Sequence, residues 1–565
     1  MKTTKNIIHP VFALFAFASF ALPPTAQAVL PPPPPDGGYP NNNTAEGHNA
    51  LFRLTSGSGN TATGAAALFS NTTGSFNTAT GIQALTSNTT GISNTAVGQS
   101  ALLHNTTASY NTATGNGALF SNTTGTLNTA SGSAALLSNT TGSNNTACGN
   151  QALRLNTTAS FNTATGGIAL FNNTTGANNT ANGYQALFNN TTGTNNTANG
   201  YQVLRFNTTA SFNTANGANA LFSNTMGTNN TANGVKALFS NTTGTNNMAT
   251  GVEALFSNTT GFDNTGSGYQ ALFNNNGIYN TASGYQALYS NTNGNNNTAY
   301  GAAALINNIT GNQNTATGNN ALYLNTSGEA NTATGWGALS NNTAGGSNTA
   351  NGDQALFRNT SGNDNIALGV LAGANLTSGD NNIDIGNLGV AAEANTIRIG
   401  KSGTQTKTFI AGIRGATVAS GVGVIVGTTG QLGAVVSSAR FKEAIKPMDK
   451  ASEAIFALKP VTFRYKHELD PDGIPQFGLV AEQVENVNPN LVVRDDEGTV
   501  LSVRYEVVNA MLLNEFLKEH RQVQEQQKQI EKLMAQLKEQ AEQIRNVNDK
   551  LEVNRPAPHV VVNNR

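Results

Sequence analysis

The chain has 565 residues, a formal net charge of -1 and only 10% charged residues. That balance gives no reason to expect nucleic acid or an anionic membrane surface as a partner. The single cysteine, Cys148, excludes an internal disulfide framework, and no cofactor or metal is expected.

Residues 1–28 read as a secretory signal peptide. Lys2 and Lys5 form a basic start, Val11 to Leu22 an apolar stretch, and Ala26-Gln27-Ala28 a small-x-small cleavage site. The apolar run is short for a bilayer span and Pro23-Pro24 follows it, so no stable membrane anchor is expected. The expected location is therefore secreted or on the cell surface, reached through the periplasm. Residues 29–42 form a Pro-rich linker in which Pro31 to Pro35 is a stiff polyproline spacer.

From Asn43 a unit of seventeen residues, N-T-A-x-G-x-x-A-L-x-x-N-T-T-G-x-x, recurs in 21 copies, with one copy of sixteen at Asn264. A short fixed period means a stacked, quasi-one-dimensional object and not a globular enzyme core. Gly, Asn and Thr are poor helix formers, and the unit is too short for a helical hairpin. Residues 43–390 are therefore expected to form a parallel β-roll or β-solenoid rod of roughly 100 Å, at about 4.8 Å per coil. In the copy that begins at Asn60, Asn60-Thr61-Ala62 and Ala67-Leu68 are the expected strands. Gly64 and Asn71-Thr72-Thr73-Gly74 supply the turns.

The ninth position is Leu in the first nineteen copies, and the tenth is often large and apolar, as in Phe69, Phe120, Phe239 and Tyr289. Adjacent strand residues face opposite ways, so a narrow coil that buries the ninth leaves the tenth as an exposed apolar stripe, unless the strand kinks there or the tenth lies under a loop. A parallel homotrimer would bury that stripe. The repeat resembles the β-roll heads of trimeric autotransporter adhesins, which implies the same trimeric arrangement and a possible cell-surface or glycan receptor. The many N-x-T triplets match a glycosylation pattern, but the repeat itself generates them; their Asn and Thr side chains are expected to satisfy turns and coil-to-coil hydrogen bonds. Cys148 stands at the variable fourth position and reads as a small-residue substitute.

Residues 391–436 form a β-rich transition. Asn395 to Gly400, Thr408 to Ile413 and Val422 to Val426 are expected to close the rod and cover its open edge. Residues 437–510 then carry Ser437-Ser438-Ala439-Arg440-Phe441-Lys442, Leu458 to Tyr465, Phe477 to Val484 and Val503-Arg504-Tyr505. In that order these motifs resemble the intramolecular chaperone auto-processing domain of phage endosialidases, tailspikes and tail fibres. The resemblance implies a small α+β domain that trimerises a β-rich fibre and then cuts itself off. It makes Ser437 the nucleophile, Lys442 the assisting base and Val436–Ser437 the scissile bond. A hydroxyl needs such activation, and desolvation lets a lysine provide it. The chain departs from the family pattern at Ser438, where an Asp is usual, and at Phe441, where Leu is usual; Ser438 is the alternative nucleophile.

Residues 511–553 read as a coiled coil. Phe516, Val523, Ile530, Leu537, Ile544 and Leu551 recur every seven residues, and Leu512, Leu533 and Val547 share the d positions with Glu519, Gln526 and Gln540. Residues 554–565 form a disordered tail. Taken together the sequence predicts a mainly β, secreted, trimeric fibre or adhesin-like protein, enzymatic at most as a single-turnover self-cleaving serine peptidase. A glycan-degrading tailspike-like enzyme and an ice-binding β-solenoid are the alternatives. Glycosidases use two positioned carboxylates, and the body of the repeats offers only Glu253, Asp263 and Glu329.

Overall fold

A computed structural model describes residues 38–553 except 412, 414–420, 428 and 496. The signal peptide, most of the Pro-rich linker and the terminal tail expected from sequence lie outside the described residues. The chain divides into two compact units, Met1–Thr408 and Phe409–Arg565.

The first unit is a parallel β-solenoid. Each coil contributes one three-residue strand, as in Thr61–Thr63, Thr78–Thr80 and Thr95–Val97, paired in register with the next so that Thr meets Thr and Ala meets Ala. The strand's central Ala points inward and is fully buried, while its flanking residues face out. A short antiparallel strand, Gly38–Tyr39, pairs with Asn43–Glu46 and covers the first rung.

The second strand expected in each coil is absent. Ala67-Leu68 lies in a turn, and Leu68 has φ 52°. Every ninth-position Leu from Leu51 to Leu356 adopts this left-handed conformation and is fully buried. An isolated left-handed leucine costs about 1–2 kcal/mol. Full burial of the side chain returns roughly 1.5–3 kcal/mol, and the axial bond from Leu68 N–H to the Ala84 carbonyl, at 3.0 Å, keeps the backbone paired. Stacking thus holds a corner that local preference disfavours. Gly64 needs its missing side chain for two reasons: φ is 129°, and a Cβ would stand 2.6 Å from the Gly81 carbonyl oxygen.

The corner also corrects the reading of the tenth position. It does not alternate with the ninth across a strand, and it is half-buried. Its rings cover one another: Phe222, Phe239, Phe256, Phe273 and Tyr289 stack at centroid separations of 5.0–5.2 Å. The more exposed large side chains stand elsewhere, at the sixth position (Tyr184, Tyr201, Trp336) and the seventeenth (Phe76, Phe161, Phe212).

Two columns of buried Asn replace a second hydrophobic layer. Asn77 Nδ2 donates to the Gly91 carbonyl at 2.9 Å, and its backbone N–H donates to Asn60 Oδ1 at 3.0 Å. Asn88 Nδ2 donates to Asn71 Oδ1 at 2.8 Å and to the Gly91 carbonyl at 3.0 Å. These side chains are fully buried, so unpaired they would each cost on the order of 1–3 kcal/mol. The asparagines of the N-T-T triplets, such as Asn71 and Asn88, belong to this second column; other N-x-T asparagines, such as Asn144 and Asn172, stand outside it and are not buried.

The sixteen-residue coil is absorbed locally. In ordinary coils one carbonyl, such as Thr89 O, accepts from Thr72, Thr73 and Gly74 N–H. In the shortened coil Asn276 Oδ1 takes that place, accepting from Thr259, Thr260 and Gly261 N–H at 3.1, 3.0 and 3.3 Å. Strand register is intact on both sides: Thr265 pairs with Met248 in the coil before it and with Thr281 in the coil after it.

The last rungs differ. Ile366–Leu368, Ile383–Ile385 and Ile397–Ile399 continue the sheet in register. The apolar run Val424–Val426 does not join it. It pairs with Leu432–Ala434 in a separate hairpin.

The second unit is smaller and openly packed. Two hairpins, Val461–Phe463 with Gln476–Gly478 and Val492–Arg494 with Val500–Val503, accompany helix α1 (Ala481–Val487) and the 49-residue helix α2 (Tyr505–Val553). Its buried core consists of Val484, Leu491, Val492, Val503 and Met511.

Candidate functional site

The motif at Ser437 folds as an extended residue followed by a 3-10 turn, Ala439–Phe441. Phe441 N–H bonds to the Ser438 carbonyl at 3.0 Å, and Lys442 N–H to the Ala439 carbonyl at 3.0 Å. The turn shortens the path between residues five apart, and Lys442 Nζ reaches Ser437 Oγ at 3.1 Å. This is within the range a nucleophile–base pair requires. The Arg440 guanidinium lies over the Phe441 ring at 4.6 Å, on the same turn. Val436, Ser437, Ser438 and Lys442 are all exposed in the single chain.

The downstream motifs converge on one another. Leu479 N–H donates to Tyr505 Oη at 3.0 Å, joining the Phe477-Gly478-Leu479 motif to Val503-Arg504-Tyr505. Gly478 makes room for that contact, since a Cβ there would stand 2.8 Å from the phenol oxygen. Arg494 pairs with Glu485 and donates to the Gly498 carbonyl at 2.9 Å, tying α1 to the second hairpin.

One constellation was not foreseen from sequence. Ser452, on the 3-10 helix Asp449–Ala457, is fully buried against α2. Its hydroxyl donates to Glu515 and accepts from Asn514 Nδ2 at 2.6 Å. Lys518 Nζ donates to Glu515 at 2.6 Å and to the Asp449 carbonyl at 2.7 Å. The Lys518 ammonium, then the Ser452 hydroxyl, hold the Glu515 carboxyl below the usual carboxylate range. The serine is committed as a donor to a carboxylate, so the cluster is a clasp and not a second nucleophile. Asn514, Glu515 and Lys518 sit at helical spacing, which marks one face of α2; their partner is 62 to 66 residues away, beyond the reach of any local pattern.

The clasp and Met511 use one face of α2, and the heptad seam uses another. Phe516, Val523, Ile530, Leu537, Ile544 and Leu551 are 49–66% exposed. Glu253 is engaged by Lys236 and Gln270, and Glu329 accepts from Asn312. Among the described residues no group of three or more His, Cys, Asp or Glu could hold a metal, and no helix is long and apolar enough to cross a membrane.

Fold and site together define a repetitive parallel β-solenoid that carries, after its last coils, a small domain opening on a Ser–Lys pair. Residues 437–493 match the family model described as chaperone of endosialidase. No curated protein and no solved structure matches the chain.

Proposed function

We propose that this protein is a secreted trimeric fibre or adhesin-like structural protein. Its C-terminal domain is an intramolecular chaperone that drives trimerisation and then cleaves the Val436–Ser437 bond. The observation that carries this reading is the start of the family match at Ser437, where the Ser437–Lys442 pair stands at 3.1 Å. The exposed heptad seam of α2 supports parallel self-association, since a single chain leaves that seam in water. A parallel β assembly is slow to form, and a module holding chains in register answers that difficulty. Cleavage runs by attack of Ser437 Oγ on the Val436 carbonyl, its proton passing to the Lys442 amine. The Lys442 ammonium returns that proton to the nitrogen of residue 437 as the C–N bond breaks, and water then hydrolyses the ester left on the Ser437 side chain. Here Oγ and the leaving nitrogen belong to one residue, so the first step is an N-to-O shift that needs proximity and not turnover machinery.

Intact-mass measurement of purified protein tests the reading. Wild type is expected to give a fragment that begins at Ser437, and Ser437→Ala a full-length chain that still assembles. Lys442→Ala is expected to block or greatly slow the cut. If Ser437→Ala is cut as fast as wild type, the assigned nucleophile is wrong and Ser438 or an outside protease takes its place.

A further inference from the structure

The outward columns of the solenoid sheet change character near its end. From Thr44 to Thr349 the first outward position of each strand is Thr except at Met248, and the second is mostly Thr, Ser or Asn. Apolar exceptions at the second, Val97 and Tyr300, are isolated between polar rungs. In the last three rungs both columns become aliphatic: Ile366, Ile383 and Ile397 in one, Leu368, Ile385 and Ile399 in the other, aligned by the strand register. Ile383 and Ile385 in the middle rung are the least exposed of the six, and exposure is greatest at the last rung, 65% at Ile397 and 72% at Ile399. The charged side chains of these rungs point the other way: Asp384 is buried, and Arg398 binds Glu393 through two nitrogens at 2.7–3.0 Å.

We infer that this patch of six aliphatic side chains is a self-association seam, and that its occupant is the same patch on other copies of this chain. The inference rests on the proposed homotrimer and adds where the rods touch. A partner lying parallel meets the same columns at the same height, so Ile and Leu face their own kind and no charge is buried. The exposed seam of α2 joins copies in parallel, and residues 400–436 tether each patch to that module. Assembly through α2 then presents the patches to one another at high effective concentration. The upstream Thr and Asn columns, already bonded along the axis as in Asn199 Nδ2 to Asn216 Oδ1 at 2.8 Å, have no comparable gain from contact. The rods close on each other at the chaperone-proximal end and stay apart, or in water-mediated contact, elsewhere.

The test uses the full chain with Cys148→Ser, and a single new cysteine placed in the first outward column. Cys148 itself shows that an outward strand position accepts this residue. With a short bismaleimide, Ile397→Cys is expected to cross-link chains at least about tenfold faster than Thr332→Cys, as tethering predicts. Replacing all six aliphatic residues by Thr, the side chain earlier rungs carry, is expected to leave a folded rod and weaken assembly. Equal, fast cross-linking at both sites would mean contact along the whole rod and overturn the localisation. No cross-linking in a chain that light scattering shows to be trimeric would overturn the seam and leave the trimer standing. A monomeric wild-type chain would overturn both.

Discussion

The rod and the C-terminal unit solve opposite problems. In a typical coil of the rod two Ala, a Leu and two Asn are buried completely, and their polar groups find partners one coil away in the same chain. In the C-terminal unit five side chains form the buried core, while Phe441, Phe456, Phe477 and the whole α2 seam stay exposed. One region is satisfied by its own repetition, and the other leaves its apolar surface for something else to cover. Autonomy and dependence are thus separated along one chain.

The sharpest way to break that contrast is to charge the rod's interior. Leu204 is fully buried with φ 49°, and Leu204→Asp is expected to cost more than about 4 kcal/mol locally. Limited proteolysis should then cut near residue 204, while the C-terminal unit's circular-dichroism signal from α2 stays unchanged.

A second test uses a carboxyl buried in the rod's otherwise apolar and Asn-lined interior. Asp384 occupies an inward position that is Ala in most earlier coils, and burial, reinforced by Glu393 and opposed by Arg398, raises its pKa from 3.8 to about 6. A raised carboxyl pKa favours the protonated form in the fold. The stabilisation is therefore complete below about pH 4 and is lost as pH rises through 6, by about 3 kcal/mol. Asp384→Ala should remove that slope, read as the difference between wild-type and variant denaturation midpoints across about pH 4–8, and should stabilise the last rungs at the alkaline end of that range.

The Asn column sharpens the comparison at lower cost. Asn213→Ala orphans the buried Asn230 N–H, which now donates to Asn213 Oδ1 at 3.0 Å. A loss of about 2 kcal/mol is expected, visible as faster hydrogen exchange confined to neighbouring coils. The smallest effect on the rod is expected from Ile530→Ala on α2. Rod melting should move by less than about 0.5 kcal/mol, while the midpoint of chain association shifts to higher protein concentration.

The sequence made the rod legible because one period fixes residue type, strand register and coil length together. Pairing of Thr61 with Thr78 follows from repetition alone. The corner at Leu68 was not legible, because local preference rejects positive φ for leucine and only stacked neighbours impose it. Reading Ala67-Leu68 as strand put Phe69 on an exposed face, and the alternative of a kink at the tenth position is what forms. Ser437 and Lys442 could be singled out because their motif is short and contiguous. The Ser452 clasp could not, since its members meet only after α2 packs back on the Asp449–Ala457 turn.

Asn276 shows how such a rod copes with error. Deleting one residue would shift every following strand in an ordinary sheet, yet here a side-chain oxygen substitutes for a lost carbonyl and the next coil resumes the pattern. Length mistakes are contained within a single rung. A chain built this way tolerates a shortened unit and keeps its pairing on both sides, so coil length can vary at one rung without disturbing the contacts of the next.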